Sequence, residues 1–303
     1  MIEVEHLTKN YRNSLFSGAS TRALDNVSFS LNEGRIAGII GSNGAGKSTL
    51  FKIMMGLVLP SNGMATIQNK PAGSILVKRN MGYLPEAFSL PQFFTANLTL
   101  KMVAEFHRIP SEESRKRIES ALDICGLEHV SRAEVKTYSK GMMQRLGLAA
   151  AIIGDPSILL LDEPLDGLDA EGRRIFKDIL ARKRDDGRLI LMSTHVLSDA
   201  EELCDDLLLF HKGKLILAGE KEKLLPAGEY LITVSHQSNE VAKELLIGGI
   251  AFQRCGEGYE TKVSSEESKD RLLAFLQEQG VSIRSIQKRK HTLEELYLSC
   301  IKK

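Results

Sequence analysis

The stretch RIAGIIGSNGAGKSTL, residues 35–50, decides the fold that the sequence predicts. Its first part, RIAGII, is a short and almost continuous apolar run, which is typical of a strand buried on both faces. GSNGAGKS follows at once with the spacing G-x-x-x-x-G-K-[ST], and TLFKIMMG then continues as a helix. A glycine loop between a buried strand and a helix is the context that distinguishes a phosphate-binding P-loop from a chance glycine-rich turn.

Each residue type in this loop has a physical task. Glycines let backbone N–H groups turn toward phosphate oxygens, and the helix N-terminus adds the positive end of its dipole. We expect Lys47 to reach the β- and γ-phosphates of ATP and the Ser48 hydroxyl to ligate Mg²⁺. The nucleotide-binding residues predicted in this segment are Gly41, Ser42, Asn43, Gly44, Ala45, Gly46, Lys47, Ser48 and Thr49.

A second buried run, SILLLDE at residues 157–163, ends in two acids. We expect Asp162 to hold Mg²⁺ through water, because it ends an apolar strand in a chain that has a P-loop. Glu163 is then placed to orient or deprotonate the attacking water as a general base. Alone, the two acids would be better explained as a surface pair at a strand end, but the P-loop reverses that preference.

A third buried run, LILMST at residues 189–194, is followed by His195. A lone histidine after a strand is usually structural. This strand is predicted to end at the carboxyl edge of a parallel sheet, where ligands collect in open α/β folds. We therefore predict that His195 contacts the γ-phosphate.

The pattern along the chain predicts an α/β core. Alternating apolar residues, such as Ile2, Val4 and Phe29, predict half-buried antiparallel strands near the start. The buried runs alternate with helical segments, which favours a mostly parallel sheet flanked by helices. Residues 86–154 lack strand signals and predict an α-helical subdomain inserted into the sheet order.

The chain changes character near Pro226, which divides it into predicted domains at residues 1–225 and 226–303. The second part reads as β-α-β-β-α-β, with EVAKELLIG at residues 240–248 as its first helix, and predicts a ferredoxin-like α+β domain. Thr292 and Glu295 fit a capping box for a final helix. No site is recognisable in this domain, so a regulatory or dimer-stabilising role and a role as a packing appendage remain alternatives.

Composition narrows the class of protein. The 303 residues are 43% hydrophobic with a formal net charge of +1, and without a basic excess we predict no nucleic-acid partner. Cys125, Cys204, Cys255 and Cys300 are scattered without C-x-x-C spacing, which favours small core residues in a reducing compartment. No apolar run approaches the roughly 20 residues of a membrane helix, so we expect a cytoplasmic location.

Five motifs occur in one order over about residues 1–220: GSNGAGKST, YSKGMMQRL, ILLLDEP, LDGLD and the loop at His195. In that order they resemble the ATP-binding subunits of ABC transporters. The resemblance implies the ABC ATPase fold, a P-loop NTPase core with an antiparallel β subdomain and an inserted α-helical subdomain. It also implies that Tyr11 stacks on adenine and that Asp169 helps couple two active sites.

The resemblance assigns Ser139 and Gly141 to the family signature, here residues 138–142, which contacts the ATP held by a second copy. These residues begin a helix, whose N-terminus is an anion site that is incomplete until a partner brings a phosphate. The implied enzyme is an ATPase that dimerises head to tail around two MgATP, as a homodimer or with a second ATPase subunit. Its other implied partners are integral membrane permease subunits, which would hold it on the inner face of the cell membrane.

Two departures from the family pattern indicate one particular branch of the family. The usual Leu-Ser-Gly-Gly-Gln reads Tyr-Ser-Lys-Gly-Met here, and Lys140 either adds charge at the phosphate site or is solvated. Glu86 replaces a glutamine that contacts Mg²⁺, and a carboxylate can also be a ligand. Both motifs resemble those of the subunits that power ABC-2-type exporters of drugs, ions or polysaccharide. They are also similar to those of the subunits that serve copper-enzyme maturation. The aromatic residues of segment 87–94 either line a groove for a permease helix or pack in the core.

The alternative function is that of a soluble ABC ATPase acting on a non-membrane macromolecular partner. Relatives of that kind carry two such domains in one chain or long coiled-coil insertions, and the sequence shows neither. A P-loop kinase would need neither YSKGMMQR nor LDGLD. An ATPase subunit that powers an exporter is therefore the favoured interpretation.

Overall fold

The structure is a computed structural model that describes residues 1–12, 20–225, 229–235, 252–255, 258–263, 265–289 and 292–301. It divides into two compact units, Met1–Lys221 and Glu222–Lys303. The first unit ends slightly before the boundary that the sequence indicates, between residues 225 and 226.

Within the described residues the first unit contains ten strands and seven helices, and an eighth, short helix begins at its last residue, Lys221. The strands are β1 (Ile2–Arg12), β2 (Ser20–Leu31), β3 (Ile36–Ile40), β4 (Asn62–Ile67), β5 (Lys70–Pro71), β6 (Met81–Leu84), β7 (Ile158–Leu161), β8 (Leu189–Thr194), β9 (Asp206–His211) and β10 (Lys214–Glu220). The helices are α1 (Lys47–Met54), α2 (Ile75–Lys78), α3 (Ala96–Phe106), α4 (Ser111–Ile124), α5 (Lys140–Ile152), α6 (Ala170–Asp185), α7 (Leu197–Leu203) and α8 (Lys221–Leu224).

The centre of this unit is a six-stranded sheet in the order β10-β9-β3-β8-β7-β6. β3 is parallel to β8 and β9, and β7 is parallel to β6 and β8. Every residue of β3, β7 and β8 is buried, as expected of parallel strands that are covered on both faces. The prediction of a mostly parallel sheet is confirmed.

A second, antiparallel sheet in the order β2-β1-β4-β5 packs on the same core. Its apolar residues, including Ile2, Val4 and Val27, are buried together with Phe51 of α1 and Phe210 of β9. The alternation in the sequence therefore predicted these antiparallel strands correctly.

The segment between β6 and β7 is helical. It contains α3, α4 and α5 with two short 3₁₀ helices, Glu128–Val130 and Val135–Thr137. Its described residues make one isolated β-bridge, between Thr95 and Glu134. This confirms the helical character predicted for residues 86–154.

The second unit is built on a four-stranded antiparallel sheet in the order β12-β13-β11-β14. Its elements are β11 (Glu229–Ser235), β12 (Gln253–Cys255), β13 (Gly258–Val263), α9 (Glu266–Glu278), β14 (Ile283–Arg289) and α10 (Leu293–Ile301). Leu272 and Leu276 of α9 pack on Ile232 and Val234 of the sheet. The four predicted strands are present, and the helix predicted at residues 240–248 lies outside the described residues.

All four cysteines are free thiols, and only some of them follow the prediction of small core residues. Cys125 and Cys204 are buried, and burial raises the pKa of each thiol to about 12. Cys300 is partly buried. Cys255 is exposed, so the prediction was wrong there, because β12 is an edge strand whose three residues all face solvent.

Helix α5 lies unusually close to β6, because glycines occupy both sides of the contact. A Cβ atom on Gly82 would lie 2.1 Å from the carbonyl oxygen of Ala151, and a Cβ on Gly147 would lie 2.5 Å from Cδ1 of Leu84. Side-chain atoms do not approach other atoms this closely, so the backbone of α5 rests almost directly on the strand.

We expect Gly82→Ala to lower the free energy of unfolding by about 1–3 kcal/mol, because the added methyl group overpacks this contact. Gly141→Ala near the start of the same helix is the matched control, since the nearest atom to a Cβ there lies 3.6 Å away. Urea unfolding followed by circular dichroism measures both variants. Equal stability of the two variants would contradict the close packing of α5 on β6.

Candidate active site

Three of the predicted motifs meet at the carboxyl edge of the central sheet. β8 lies between β3 and β7, and all three strands run parallel. The P-loop follows β3, Asp162 and Glu163 follow β7, and His195 follows β8. The alternation of strands and helices thus brings together residues that are more than 100 positions apart in the sequence, at the sheet edge where ligands bind in such folds.

The P-loop depends on a glycine at its contact with the antiparallel sheet. Gly46 has a φ angle of +105°, and a Cβ on it would lie 2.4 Å from the carbonyl oxygen of Ala23 in β2. Only glycine combines this conformation with so close an approach. No described side chain caps the N-terminus of α1, which begins at Lys47, so its first N–H groups are available to bind an anion.

Lys47 is buried although it carries a charge. Its Nζ donates a hydrogen bond to the carbonyl oxygen of Gly41 at 2.7 Å and lies 3.1 Å from Oε1 of Glu163. A buried ammonium group needs such partners, because desolvation without them is costly. The segment that follows β7 and the start of α1 are therefore linked through the opposite charges of Glu163 and Lys47.

Glu163 stands at the centre of what we call the Lys47–Glu163–His195 cluster. Its Oε2 lies 2.9 Å from Nδ1 of His195, which is half-exposed. Its Oε1 is buried and accepts no hydrogen bond within the described residues, since Lys47 attracts it by charge but is not aligned as a donor. A buried carboxylate oxygen that accepts no hydrogen bond from the protein can accept one from a water molecule that is to lose a proton.

The backbone of Glu163 is strained. Its φ angle of +49° is in the left-handed region, which non-glycine residues rarely adopt. Its N–H donates to Oγ of Ser193 at 2.8 Å, and its carbonyl oxygen accepts from Nε2 of Gln144 at 3.4 Å. Strain of this kind persists where the surroundings hold the residue firmly, and it concentrates at functional sites.

Ser193 also organises Asp162, which is almost fully buried. The Ser193 hydroxyl donates to Oδ1 of Asp162 at 2.6 Å. One buried hydroxyl group thus fixes both acids of the ILLLDEP motif. We did not identify Ser193 from the sequence; its position at the end of the buried run LILMST, next to His195, was the available signal.

Tyr83 in β6 responds to the charges at this edge of the sheet. Burial raises the pKa of its hydroxyl to about 12, and the carboxylates of Asp162 and Glu86 contribute to the rise. The phenol therefore stays protonated at neutral pH. Glu86 itself is exposed in the loop after β6.

The signature segment forms the start of α5. Ser139 is the N-cap, and its Oγ accepts a hydrogen bond from the N–H of Met142 at 3.2 Å. This leaves the hydroxyl hydrogen of Ser139 available to a phosphate oxygen. Lys140 is not simply solvated, because its Nζ donates to Oδ2 of Asp166 at 2.7 Å.

The structure ties α5 to the segment after the catalytic strand at a second point. Gln144 is buried, and its Nε2 donates to the carbonyl oxygens of Glu163 and Pro164. Gln144 belongs to the YSKGMMQRL motif but was not assigned a role from the sequence. Its amide group links α5, which begins at the signature segment, to the strained backbone of Glu163 by a hydrogen bond.

The remaining predicted residues are placed as follows. Tyr11 is in β1 opposite Thr21 of β2, and Nζ of Lys9 lies 5.0 Å from the centre of its ring. Asp169 is the N-cap of α6, where its Oδ1 accepts from the N–H of Gly172 at 2.8 Å. Ser48 and Thr49 lie in the first turn of α1.

The aromatic residues of segment 87–94 do not all share one environment, so packing in the core and lining a groove for a permease helix are assessed residue by residue. A Cβ on Gly147 would lie 3.1 Å from the ring of Phe88, so Phe88 packs against α5. Phe93 is 68% exposed and makes an edge-to-face contact with Phe94. Core packing therefore accounts for Phe88, and Phe93 remains on the surface.

We expect Ser193→Ala to lower the free energy of unfolding by about 1–3 kcal/mol, because it leaves Asp162 and the N–H of Glu163 without a buried partner. Thr66→Ala, which removes a hydroxyl with only a long 3.4 Å contact to Glu3, is the control and should cost less. Thermal unfolding compares the two variants, and equal losses would argue against a special role of Ser193.

Comparisons with known proteins agree with this geometry. Residues 24–166 match the family model described as ABC transporter. An uncharacterised ABC transporter ATP-binding protein of Nostoc sp. is 31% identical over 306 residues, covering 100% of this chain and 90% of the relative. Nod factor export ATP-binding protein I of Ralstonia nicotianae is 32% identical over 227 residues, covering 74% of this chain and 68% of the relative.

Solved structures share the fold. An ATP-binding cassette solved as a dimer in a post-hydrolysis state with ADP and Pi has a TM-score of 0.66 and 25% identity, covering 73% of this chain and 98% of its own. A Clostridium perfringens protein that is part of an ABC transporter complex has a TM-score of 0.63 and 27% identity, covering 81% and 94%. With the P-loop, the strand-end acids and the signature helix in one structure, the chain belongs to the ATP-binding proteins of ABC transporters and is an ATPase of that family.

Proposed function

We propose that this ATPase hydrolyses MgATP between two copies arranged head to tail and thereby powers a separate membrane-embedded permease. The observation that carries the proposal is the Lys47–Glu163–His195 cluster, which places beside the P-loop a buried carboxylate oxygen that is ion-paired with Lys47 but accepts no hydrogen bond. The chemistry of these groups suits the transfer of a phosphoryl group to water.

Each residue of the cluster has a proposed task. The N–H groups at the start of α1 and the ammonium group of Lys47 bind the β- and γ-phosphates of ATP. Oε1 of Glu163 accepts the proton of the attacking water, which makes the water a stronger nucleophile. His195 holds the other oxygen of Glu163 and contacts the γ-phosphate from the end of β8.

The residues also fit a magnesium ion. Ser48, Asp162 and Glu86 offer hydroxyl and carboxylate oxygens, which are the ligands that Mg²⁺ prefers. Ser193 occupies Oδ1 of Asp162 and leaves Oδ2 for the ion or its water. When bound, the ion neutralises negative charge that develops on the phosphate oxygens.

Two copies complete each site in this proposal. The hydroxyl of Ser139 and the N-terminus of α5, near Gly141, bind the γ-phosphate of the ATP on the partner. Tyr11 stacks on adenine, and Asp169 lies at the contact between the two sites.

If each ATP favours the closed dimer by about 2.7 kcal/mol, two supply about 5.5 kcal/mol. That amount moves a population from roughly 1:99 to 99:1, so binding alone can drive closure.

The relatives support a permease partner and export as the direction of transport. One relative is named a Nod factor export ATP-binding protein, which supports export, and one solved neighbour is part of an ABC transporter complex, which supports assembly with other subunits. The departures at Glu86 and in the signature segment favour the ABC-2 type of exporter. Among the described residues, no helix combines the length and apolarity required to cross a membrane. We propose that permease subunits hold the chain at the inner face of the cell membrane, and that the second unit has a regulatory or dimer-stabilising role.

We expect Glu163→Gln to bind ATP but to hydrolyse it at least about 100-fold more slowly, because the amide cannot accept the proton of water. Light scattering of this variant with MgATP should show a shift from one chain to two. The same measurement with EDTA tests the dependence on the metal ion.

Glu171→Gln is the matched control for Glu163→Gln, since Glu171 is an exposed acid in the first turn of α6. It should turn over ATP at the unsubstituted rate. Normal turnover by Glu163→Gln would contradict the assignment of the general base, and a mass that stays at one chain would contradict pairing of this chain with itself.

We expect Ser139→Ala to leave ATP binding by a single chain unchanged and to lower the rate of hydrolysis about tenfold or more, because it removes a donor that acts only on the partner's ATP. Fluorescent-nucleotide binding at low protein concentration and steady-state hydrolysis at high concentration separate the two effects. A loss of binding by the single chain would refute the assignment of Ser139 to the partner's site.

A further inference from the structure

We infer that Lys140 and Asp166 are positioning residues that link the signature segment to the catalytic glutamate of the same copy. Through them, contact of Ser139 with the partner's ATP is transmitted to Glu163, which acts on the copy's own ATP. The inference rests on the proposed function, because it requires Ser139 and Glu163 to serve different ATP molecules.

The first link is a contact between α5 and the loop after β7. Nζ of Lys140 donates to Oδ2 of Asp166 at 2.7 Å, and this hydrogen bond, with the charge of Lys140, lowers the pKa of the Asp166 carboxyl. Asp166 is therefore ionised at neutral pH, and the ion pair is present where the enzyme works. Lys140 directly follows the N-cap Ser139, so the pair lies one residue from the predicted phosphate contact.

The stem of Lys140 adds a packing contact to the charge contact. Gly167 has a φ angle of +72°, and a Cβ on it would lie 2.5 Å from Cδ and 2.6 Å from Cε of Lys140. The lysine methylene groups thus lie directly on the backbone of the loop. A glycine at this position permits both the turn and the approach of the side chain.

The second link runs from Asp166 to Glu163. The N–H of Asp166 donates to the carbonyl oxygen of Glu163 at 3.2 Å, which closes a turn over these four residues. Gln144, one turn further along α5 from Lys140, donates to the same carbonyl oxygen. A displacement at the start of α5 therefore reaches the strained backbone of Glu163 through two adjacent contacts.

The ion pair between Lys140 and Asp166 contributes little to the stability of the fold. The side chains of Lys140 and Asp166 are 65% and 51% exposed, and exposed ion pairs contribute little to the free energy of unfolding. Its location between two functional segments is what distinguishes it from the surface pair of Lys136 and Glu134, which lies just before the signature segment. The effect of the Lys140–Asp166 pair should accordingly appear in catalysis.

The test measures kcat and KM for MgATP with the full chain, together with the urea midpoint, for Lys140→Met, Asp166→Asn and the double variant. We expect each single variant to lower kcat about fivefold or more, with KM and the urea midpoint unchanged. The double variant should stay within about twofold of either single variant, because both remove the same contact. Lys140→Arg, which keeps the charge and most of the apolar stem, should retain most of the unsubstituted rate.

Lys136→Met is the matched control and should keep the unsubstituted kcat. The inference is overturned if the single variants retain full kcat, if their losses multiply in the double variant, or if the urea midpoint falls with the rate. Ser139→Ala in the same assay distinguishes the two proposals. Loss of rate in Ser139→Ala but not in Lys140→Met overturns the link alone, whereas full rate in Ser139→Ala overturns the site in trans and the link with it.

Discussion

The carboxylate of Glu163, held between Lys47 and His195, is the interaction on which the rest of the site depends. It joins the ends of three parallel strands and the start of α1, so the position of the P-loop relative to the acids is fixed by charge as well as by the sheet. The strained backbone of Glu163 is held by two hydrogen bonds, from its N–H to Ser193 and from Gln144 to its carbonyl oxygen. Sheet, P-loop and signature helix therefore converge on one residue.

The sequence predicted those parts of the structure whose physical cause is local. The buried runs at residues 35–40, 157–163 and 189–194 are strands because their apolar residues need cover on both faces, and the glycine spacing after the first one specifies the P-loop. The positions of Asp162 and His195 followed from the rule that parallel strands end at one edge. The helical segment 86–154 was recognisable by the absence of strand alternation.

What the sequence did not predict depends on contacts between distant segments. Nothing local to Ser193 indicates that its hydroxyl is shared by Asp162 and Glu163, because that contact needs β7 beside β8. The role of Gln144 and the partner of Lys140 likewise became visible only when α5 was placed against the loop after β7. The exposure of Cys255 follows from its place on an edge strand, which residue type alone does not indicate.

The close approach of α5 to β6 has a mechanical consequence. The helix has 13 residues and is therefore about 20 Å long, with its far end resting on Gly82 and its near end at Ser139. At Gly82 no side chain separates the strand from the backbone of α5, so strand and helix are held rigidly against each other at that point. A displacement of the loop after β6, where Phe88 packs on Gly147, would therefore move α5 as a rigid body and shift its first turn, where the partner's phosphate is proposed to bind.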